Sequence, residues 1–205
     1  MLISIHPDNP QPRQLSQVKA CLESGGIIAY PTDTIYGLGC DIFHPEAIEK
    51  ICAIKKVNLE KANLSFICSD LSDLSLYAKA IDNALFRILK KALPGPFTFI
   101  LPASKQVPKI LQSKKKTIGL RIPDNNIARA LVQSLGNPIV STSIRDDDDV
   151  LEYTTDPELI FEKWQHLVDG VIDGGFGDNH ASTIIDLTEA EPIVIREGKG
   201  SVEIL

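Results

Sequence analysis

Two spacings of apolar residues run through the chain. Short apolar runs rich in β-branched residues predict strands, and longer stretches with apolar residues three and four positions apart predict helices. The predicted strands cover 2–5, 27–30, 64–68, 97–101, 117–122, 138–143, 168–172, 182–186 and 192–195. The predicted helices cover 14–24, 45–55, 71–78, 81–93, 107–112, 127–135 and 157–166. Strands and helices mingle without a repeat or a linker, which favours one α/β domain with a mixed sheet.

One predicted strand leads into an unusually polar loop. The run 27–30 ends at Pro31, which has no N–H for a strand ladder. The next residues, 32–36, contain three hydroxyl side chains and a carboxylate, and two glycines follow at Gly37 and Gly39. Glycine permits a positive φ or a close approach of backbone to a ligand. The stretch is therefore a candidate binding loop, although an ordinary strand-to-turn corner would have a similar composition.

Hydroxyl side chains also follow other predicted strands, and basic residues lie near the ends of other elements. The hydroxyl groups are Thr32/Thr34, Ser141/Thr142/Ser143 and Ser182/Thr183, and the cations are Lys55, Lys56, Lys90, Lys91, Arg121 and Arg196. Together they would suit a phosphate or carboxylate ligand, because charge-assisted hydrogen bonds are strong. Each alone has an ordinary explanation as a turn former or a partner of a helix dipole. The hypothesis needs these side chains to converge in space.

The net charge of −6 is unevenly distributed. Residues 1–49 carry a net charge of −4, residues 50–121 carry +10, and residues 122–205 carry −12. This segregation suggests a surface prepared for an anion such as phosphate. The alternative is that the three segments interleave in space and neutralise one another.

Several classes of protein and site are disfavoured. No apolar run approaches the ~20 residues of a membrane span, and the first residues lack the features of a secretory signal, so a cytoplasmic location is expected. The four cysteines form no CxxC pair and are predicted to be reduced, buried thiols. There is no Ser-His-Asp set, GxGxxG or GxxxxGK[ST] pattern. The run 146–149 is all aspartate but lacks the spacing of a metal loop, so no metal site is predicted there.

Six motifs, in their order over residues 3–200, resemble the YrdC/YciO family and especially its YciO branch. They are GGIIAYPTDTIYGLG (25–39), PGPFTFIL (94–101), TIGLRIP (117–123), STS (141–143), STIID (182–186) and REG (196–198). The resemblance implies a single YrdC-like domain over 1–205. It also implies a twisted mixed sheet, flanked by helices, with a large concave, positively charged surface. In the family that surface is associated with double-stranded RNA and with nucleotides.

The YrdC branch of this family makes L-threonylcarbamoyladenylate from threonine, bicarbonate and ATP, an intermediate in tRNA modification. By resemblance, the substrate-binding residues are Thr32, Thr34, Tyr36, Arg121 and Ser182. The implied nucleotide- or phosphate-binding residues are Lys55, Lys56, Thr142, Ser143, Arg145 and Arg196. The implied cofactors are ATP and Mg²⁺ if the protein is an enzyme, and the implied partners are double-stranded RNA, tRNA or a nucleotide.

The chain departs from the synthase pattern in three places. The synthase branch has Lys-x-Arg where this chain has 55–57 (Lys-Lys-Val), and Ser-x-Asn where it has 143–145 (Ser-Ile-Arg). The histidine expected on the strand after the basic motif is replaced by Ile67 or Cys68. Each lost hydrogen bond to a charged ligand costs roughly 1.5–3 kcal/mol. We therefore predict a protein that binds double-stranded RNA or nucleotide phosphates, with threonylcarbamoyladenylate synthesis, or turnover of a related acyl-adenylate, as the alternative.

Overall fold

The computed structural model describes residues 1–59, 62–112, 116–144, 155–189 and 191–204. The strands are Leu2–Ser4 (β1), Ile28–Tyr30 (β2), Gly37–Asp41 (β3), Ser65–Ile67 (β4), Phe97–Pro102 (β5), Thr117–Arg121 (β6), Ile139–Ser143 (β7), Gly170–Asp173 (β8), Thr183–Asp186 (β9) and Ile193–Arg196 (β10). The α-helices are Pro12–Glu23 (α1), Pro45–Ile54 (α2), Leu71–Tyr77 (α3), Asn83–Ala92 (α4), Asn126–Leu135 (α5) and Pro157–Trp164 (α6). No helix within these residues is long and apolar enough to cross a membrane.

The strands form one mixed sheet in the order β1-β8-β2-β3-β7-β4-β6-β5-β9-β10. The pairs β1/β8, β2/β8, β4/β6 and β5/β9 are parallel. The pairs β2/β3, β3/β7, β4/β7, β5/β6 and β9/β10 are antiparallel. The predicted single α/β domain with a mixed sheet is therefore confirmed.

Local sequence accounts for several helix ends. Asp70 accepts a hydrogen bond from the Asp73 N–H at 2.8 Å and so caps the start of α3. Asn125 caps α5 in the same way, and Gly136 ends it with a φ of 84°. The predicted helix at 107–112 contains only one 3₁₀ turn, Lys109–Leu111. Three cysteines are buried as predicted, whereas Cys21 is half-buried.

Strand β3 was not predicted, because two of its five residues are the glycines taken for a loop. Gly37 faces Tyr30 across the β2/β3 pair, and a Cβ on Gly37 would lie 2.8 Å from Tyr30 Cζ. A Cβ on Gly39 would lie 2.6 Å from Ile139 Cγ2. Neither glycine has a positive φ. These glycines therefore make room for protein side chains, which corrects the expectation of a positive φ, and Gly37 also lines the main cavity described below.

The two faces of the sheet are covered differently. Helices α2, α3, α4 and α6 contribute to the larger core on one face, together with inward residues such as Phe66, Leu120 and Val140. Helices α1 and α5 pack on the other face over a smaller core that includes Ile67 and Ile139. Since side chains alternate along a strand, Ser65 and Ser141 share the face of Ile67 and Ile139 but lie beyond these two helices. That uncovered part of the sheet is where the cavity lies.

Candidate functional site

A cavity of about 990 Å³ opens on the uncovered part of the sheet. Its floor is a row of small residues in register, with Ser65 of β4 between Ser141 of β7 and Gly119 of β6. A Cβ on Gly119 would lie 3.2 Å from Ser65 Cβ, so this row is already closely packed. Because these side chains are small, the cavity is deeper at this point and leaves space for a ligand.

Seven of the predicted site residues line this cavity. They are Thr32, Thr34, Arg121, Thr142, Ser143, Ser182 and Arg196. Apolar residues form much of the rest, including Leu59, Leu64, Ile110, Leu111, Ile118 and Ile195. Within the described part of the chain, the lining contains two arginines and no carboxylate. The hydroxyls and guanidinium groups therefore converge as a phosphate or carboxylate ligand would require.

Three other predicted site residues, within the described part of the chain, lie outside the lining of this cavity. Tyr36 is buried, and its hydroxyl donates to the Gly175 carbonyl at 2.7 Å and accepts from the Gly174 N–H at 3.4 Å. Burial raises the pKa of Tyr36. Lys55 follows α2 and is half-buried, and Lys56 beside it is exposed; neither is among the lining residues of the cavity. Arg145 and the aspartates at 146–149 lie outside the described residues.

Arg121 and Asp33 form a buried ion pair at one wall of the cavity. Arg121 Nη2 donates to Asp33 Oδ1, to Thr34 Oγ1 at 2.7 Å and to Thr32 Oγ1 at 3.3 Å. The two charged side chains are only 10% and 9% exposed. Arg121 belongs to the basic middle segment and Asp33 to the acidic first one, so charges of the two segments neutralise each other at this point.

This pair leaves two polar atoms unused. Arg121 Nε and Asp33 Oδ2 are buried and have no hydrogen-bond partner among the described residues. A buried polar atom without a partner is costly, and Asp33 lines the smaller neighbouring cavity rather than the main one. One is a donor on a cation and the other an acceptor on an anion. Alternation of side chains along β6 places Arg121 on the same strand face as Gly119, whereas the sequence shows Asp33 only as the carboxylate of a polar loop.

Arg196 and Ser182 form a second polar group in the cavity lining. Arg196 Nη2 donates to the Ser182 carbonyl at 2.7 Å and to Ser182 Oγ at 3.2 Å. Ser182 Oγ lies 3.0 Å from Thr98 Oγ1, a lining residue that the sequence analysis missed. The β9/β10 register shifts between Val194 and Arg196, and such a bulge re-aims side chains. As a result, the consecutive residues Ile195 and Arg196 both line the cavity.

A smaller cavity of about 530 Å³ adjoins the first, because Thr32 lines both. Its other lining residues are Asp33, Thr155, Phe176, Gly177, Asp178, Asn179 and Lys199. Lys199 Nζ donates to the Asp33 carbonyl at 2.7 Å and lies 2.8 Å from Asp178 Oδ2. Sequence reasoning missed both Asp178 and Lys199. The only available signal was that Lys199 immediately follows the Arg-Glu-Gly motif.

The described residues contain no group of three His, Cys, Asp or Glu side chains placed to hold a metal ion. The main cavity therefore offers cations, hydroxyls and an apolar wall. That combination suits an anion attached to a flat or apolar group.

Comparison with known proteins places this geometry in a family. The Sua5/YciO/YrdC family model, described as telomere recombination, matches residues 20–198. The chain belongs to the Sua5/YciO/YrdC family. It is 45% identical over 201 residues to YciO of Escherichia coli strain K12, covering 97% of this chain and 96% of that protein. The crystal structure of E. coli YciO superposes with a TM-score of 0.92 at 43% identity, covering 100% of this chain and 98% of that one.

More distant members of the family include enzymes. A threonylcarbamoyl-AMP synthase of Coxiella burnetii (strain RSA 493) is 31% identical over 174 residues, covering 84% of this chain and 91% of the synthase. The crystal structure of P. abyssi Sua5 complexed with L-threonine matches with a TM-score of 0.87 at 26% identity. That match covers 99% of this chain and 59% of the Sua5 chain. The resemblance to the YrdC/YciO family and its relation to threonylcarbamoyl-AMP synthases are thus confirmed.

Proposed function

We propose that the main cavity binds a nucleotide through its phosphate groups. The observation that carries this proposal is the convergence of Arg121 and Arg196 with the hydroxyls of Thr142, Ser143 and Ser182 in one cavity. A volume of about 990 Å³ lies at the upper end of the roughly 300–1,000 Å³ typical of small-molecule sites. Charge-assisted hydrogen bonds from the guanidinium groups hold the phosphates, and the apolar wall accommodates the base.

A second candidate function is synthesis of threonylcarbamoyl-AMP, as named for the C. burnetii relative. Thr32, Thr34 and Arg121 line one part of the main cavity, and a guanidinium group suits the carboxylate of an amino acid. P. abyssi Sua5 has been crystallised with L-threonine, which favours this ligand.

In that reaction the carbamate formed from threonine and bicarbonate attacks the α-phosphorus of ATP, and pyrophosphate leaves. Arg121 orients the amino acid, while Arg196, Thr142 and Ser143 stabilise the charge on the phosphates. The described lining contains no carboxylate, so a Mg²⁺ ion accompanying ATP would be held by the phosphate oxygens and by water. Because the chain lacks the synthase residues at 57 and 145, we rank nucleotide binding above this activity.

Double-stranded RNA binding stays a prediction. A duplex is recognised by its shape and its phosphates over a long surface, so it would lie across the rim of the cavity. Titration of a duplex at about 50 mM and about 200 mM salt measures this binding, and its affinity should fall steeply with salt. No binding at the lower salt concentration would exclude it.

Calorimetric titration with ATP tests the nucleotide proposal. Ser65→Leu places a larger side chain on the cavity floor without removing a cation, and we expect it to weaken ATP binding by about tenfold or more. Lys19→Met is the matched control, since Lys19 lies in an exposed pair with Glu23 away from the cavity and should leave the affinity unchanged. The absence of saturable ATP binding by the wild type, or equal affinity in Ser65→Leu, would contradict the proposal.

Pyrophosphate release from ATP separates the two candidate functions. The synthase candidate predicts release that requires L-threonine and bicarbonate and is lost in Arg121→Ala. ATP binding without any such release, across amino acids and divalent metals, would leave the binding function and exclude the synthase.

A further inference from the structure

The segment that follows Arg196 is fixed against the start of β9. The Gly198 N–H donates to Thr183 Oγ1 at 3.0 Å, and that hydroxyl donates to the Gly200 carbonyl at 2.6 Å. The Lys199 N–H donates to the Ala181 carbonyl at 2.8 Å. Thr183 is completely buried. The backbone of Lys199 is therefore anchored to the sheet itself.

From this anchor, the Lys199 side chain reaches the polar loop that follows β2. Lys199 Nζ donates to the Asp33 carbonyl at 2.7 Å and pairs with Asp178 at 2.8 Å. The Asp178 N–H in turn donates to the Thr34 carbonyl at 3.2 Å. The backbone of residues 33–34 is thus bonded to Lys199 and Asp178, while its side chains are bonded to Arg121.

The Lys199–Asp178 pair is suited to positioning this loop rather than to stabilising the whole fold. Its side chains are 42% and 27% exposed, and ion pairs at such exposure contribute little to global stability. Partial burial raises the pKa of Asp178, but hydrogen bonds from Lys199 and His180 outweigh it and lower the pKa below the usual value. Asp178 therefore stays ionised and continues to hold Lys199.

We propose that Lys199 is a positioning residue that holds the Asp33 backbone and thereby keeps Thr32, Thr34 and Arg121 in place at the wall of the main cavity. Its effect on ligand binding rests on the proposed function of the main cavity. The loop itself is held whether or not a ligand is present.

Hydrogen–deuterium exchange of the ligand-free protein tests the positioning directly. We expect Lys199→Met to accelerate exchange in peptides covering 32–36 and 177–179 by about tenfold, while peptides from α1 and α5 exchange as in the wild type. Lys199→Arg retains the charge and should restore much of the protection. Lys19→Met, which breaks the exposed pair with Glu23, is the control. Unchanged exchange at 32–36 in Lys199→Met would overturn the inference.

Ligand affinity distinguishes positioning from direct contact, since Lys199 also lines the smaller cavity. If Lys199 acts through the loop, Asp178→Asn weakens ATP or L-threonine binding in the same direction as Lys199→Met, because both release the loop. If Lys199 contacts an anionic ligand itself, Asp178→Asn frees the cation and strengthens binding, which would overturn the inference. If the wild type binds neither ligand, the proposed function fails, and the exchange experiment still decides the role of Lys199.

Discussion

The buried pair of Arg121 and Asp33 makes a quantitative prediction about stability. Arg121→Met keeps an apolar side chain of comparable length but leaves the Asp33 carboxylate without its cation. Since the two side chains are only 10% and 9% exposed, the uncompensated charge should destabilise the fold by about 3–5 kcal/mol. An exposed pair would be worth about 0–1 kcal/mol. The pair of Lys19 and Glu23, 36% and 53% exposed, supplies that comparison within the same chain.

A double-mutant cycle separates the ion pair from the rest of the Arg121 contacts. Asp33→Asn removes the charge that Arg121→Met leaves behind, so the double variant should be more stable than the sum of the single effects predicts. The coupling free energy should lie at the upper end of the 0.5–3 kcal/mol range, roughly 2 kcal/mol or more. Urea denaturation followed by circular dichroism measures all four proteins. A cost below about 1 kcal/mol for Arg121→Met, or additive effects in the double variant, would refute the buried-pair reasoning.

Three further predictions concern the fold. Lys56 has a φ of 53°, so Lys56→Gly should relieve a left-handed backbone strain of about 1–2 kcal/mol. The greater entropy of glycine in the unfolded chain offsets part of this gain, but the urea midpoint should still rise. A lower midpoint would argue against this reasoning. Gly39→Ala places a Cβ 2.6 Å from Ile139 Cγ2 and should destabilise by about 1–3 kcal/mol in the same assay, whereas unchanged stability would show that the strands can separate freely. Burial raises the pKa of Cys40 and of Tyr30 to about 12 each. Both protonated groups therefore stabilise the fold at neutral pH. The stabilisation falls by roughly 1.4 kcal/mol per pH unit, above about pH 9 for Cys40 and above about pH 10 for Tyr30. Urea midpoints at about pH 8 and 10.5 check this, and Cys40→Ala should reduce the slope.

Local sequence patterns account for most of the secondary structure. Helix α5 was predicted from its apolar spacing and from Gly136, and both its cap and its left-handed end are local features. In β6, the alternation that places Ile118 and Leu120 in the core also predicts Arg121 on the opposite face. Strand β3 was not predicted, because its glycines have low strand propensity. The space that these glycines leave is occupied by Tyr30 on the neighbouring strand.

The candidate site depends on contacts that no local pattern contains. Thr32 lies on the loop between β2 and β3, and Arg121 lies 89 residues away at the end of β6, so only the fold of the whole sheet brings them into contact. The same topology buries Tyr36 in the core, whereas the polar composition of residues 32–36 had placed Tyr36 in the candidate binding loop. Lys199 reaches Asp33 across 166 residues.

The sequence alone thus determined the α/β class, most elements, the family resemblance and the residue types suited to an anion. The tertiary structure decided which of those residues share a cavity and which partners hold them. The physical reason is that periodicity and capping act over a few residues, whereas strand order and the cover of the helices are set by packing of the whole chain.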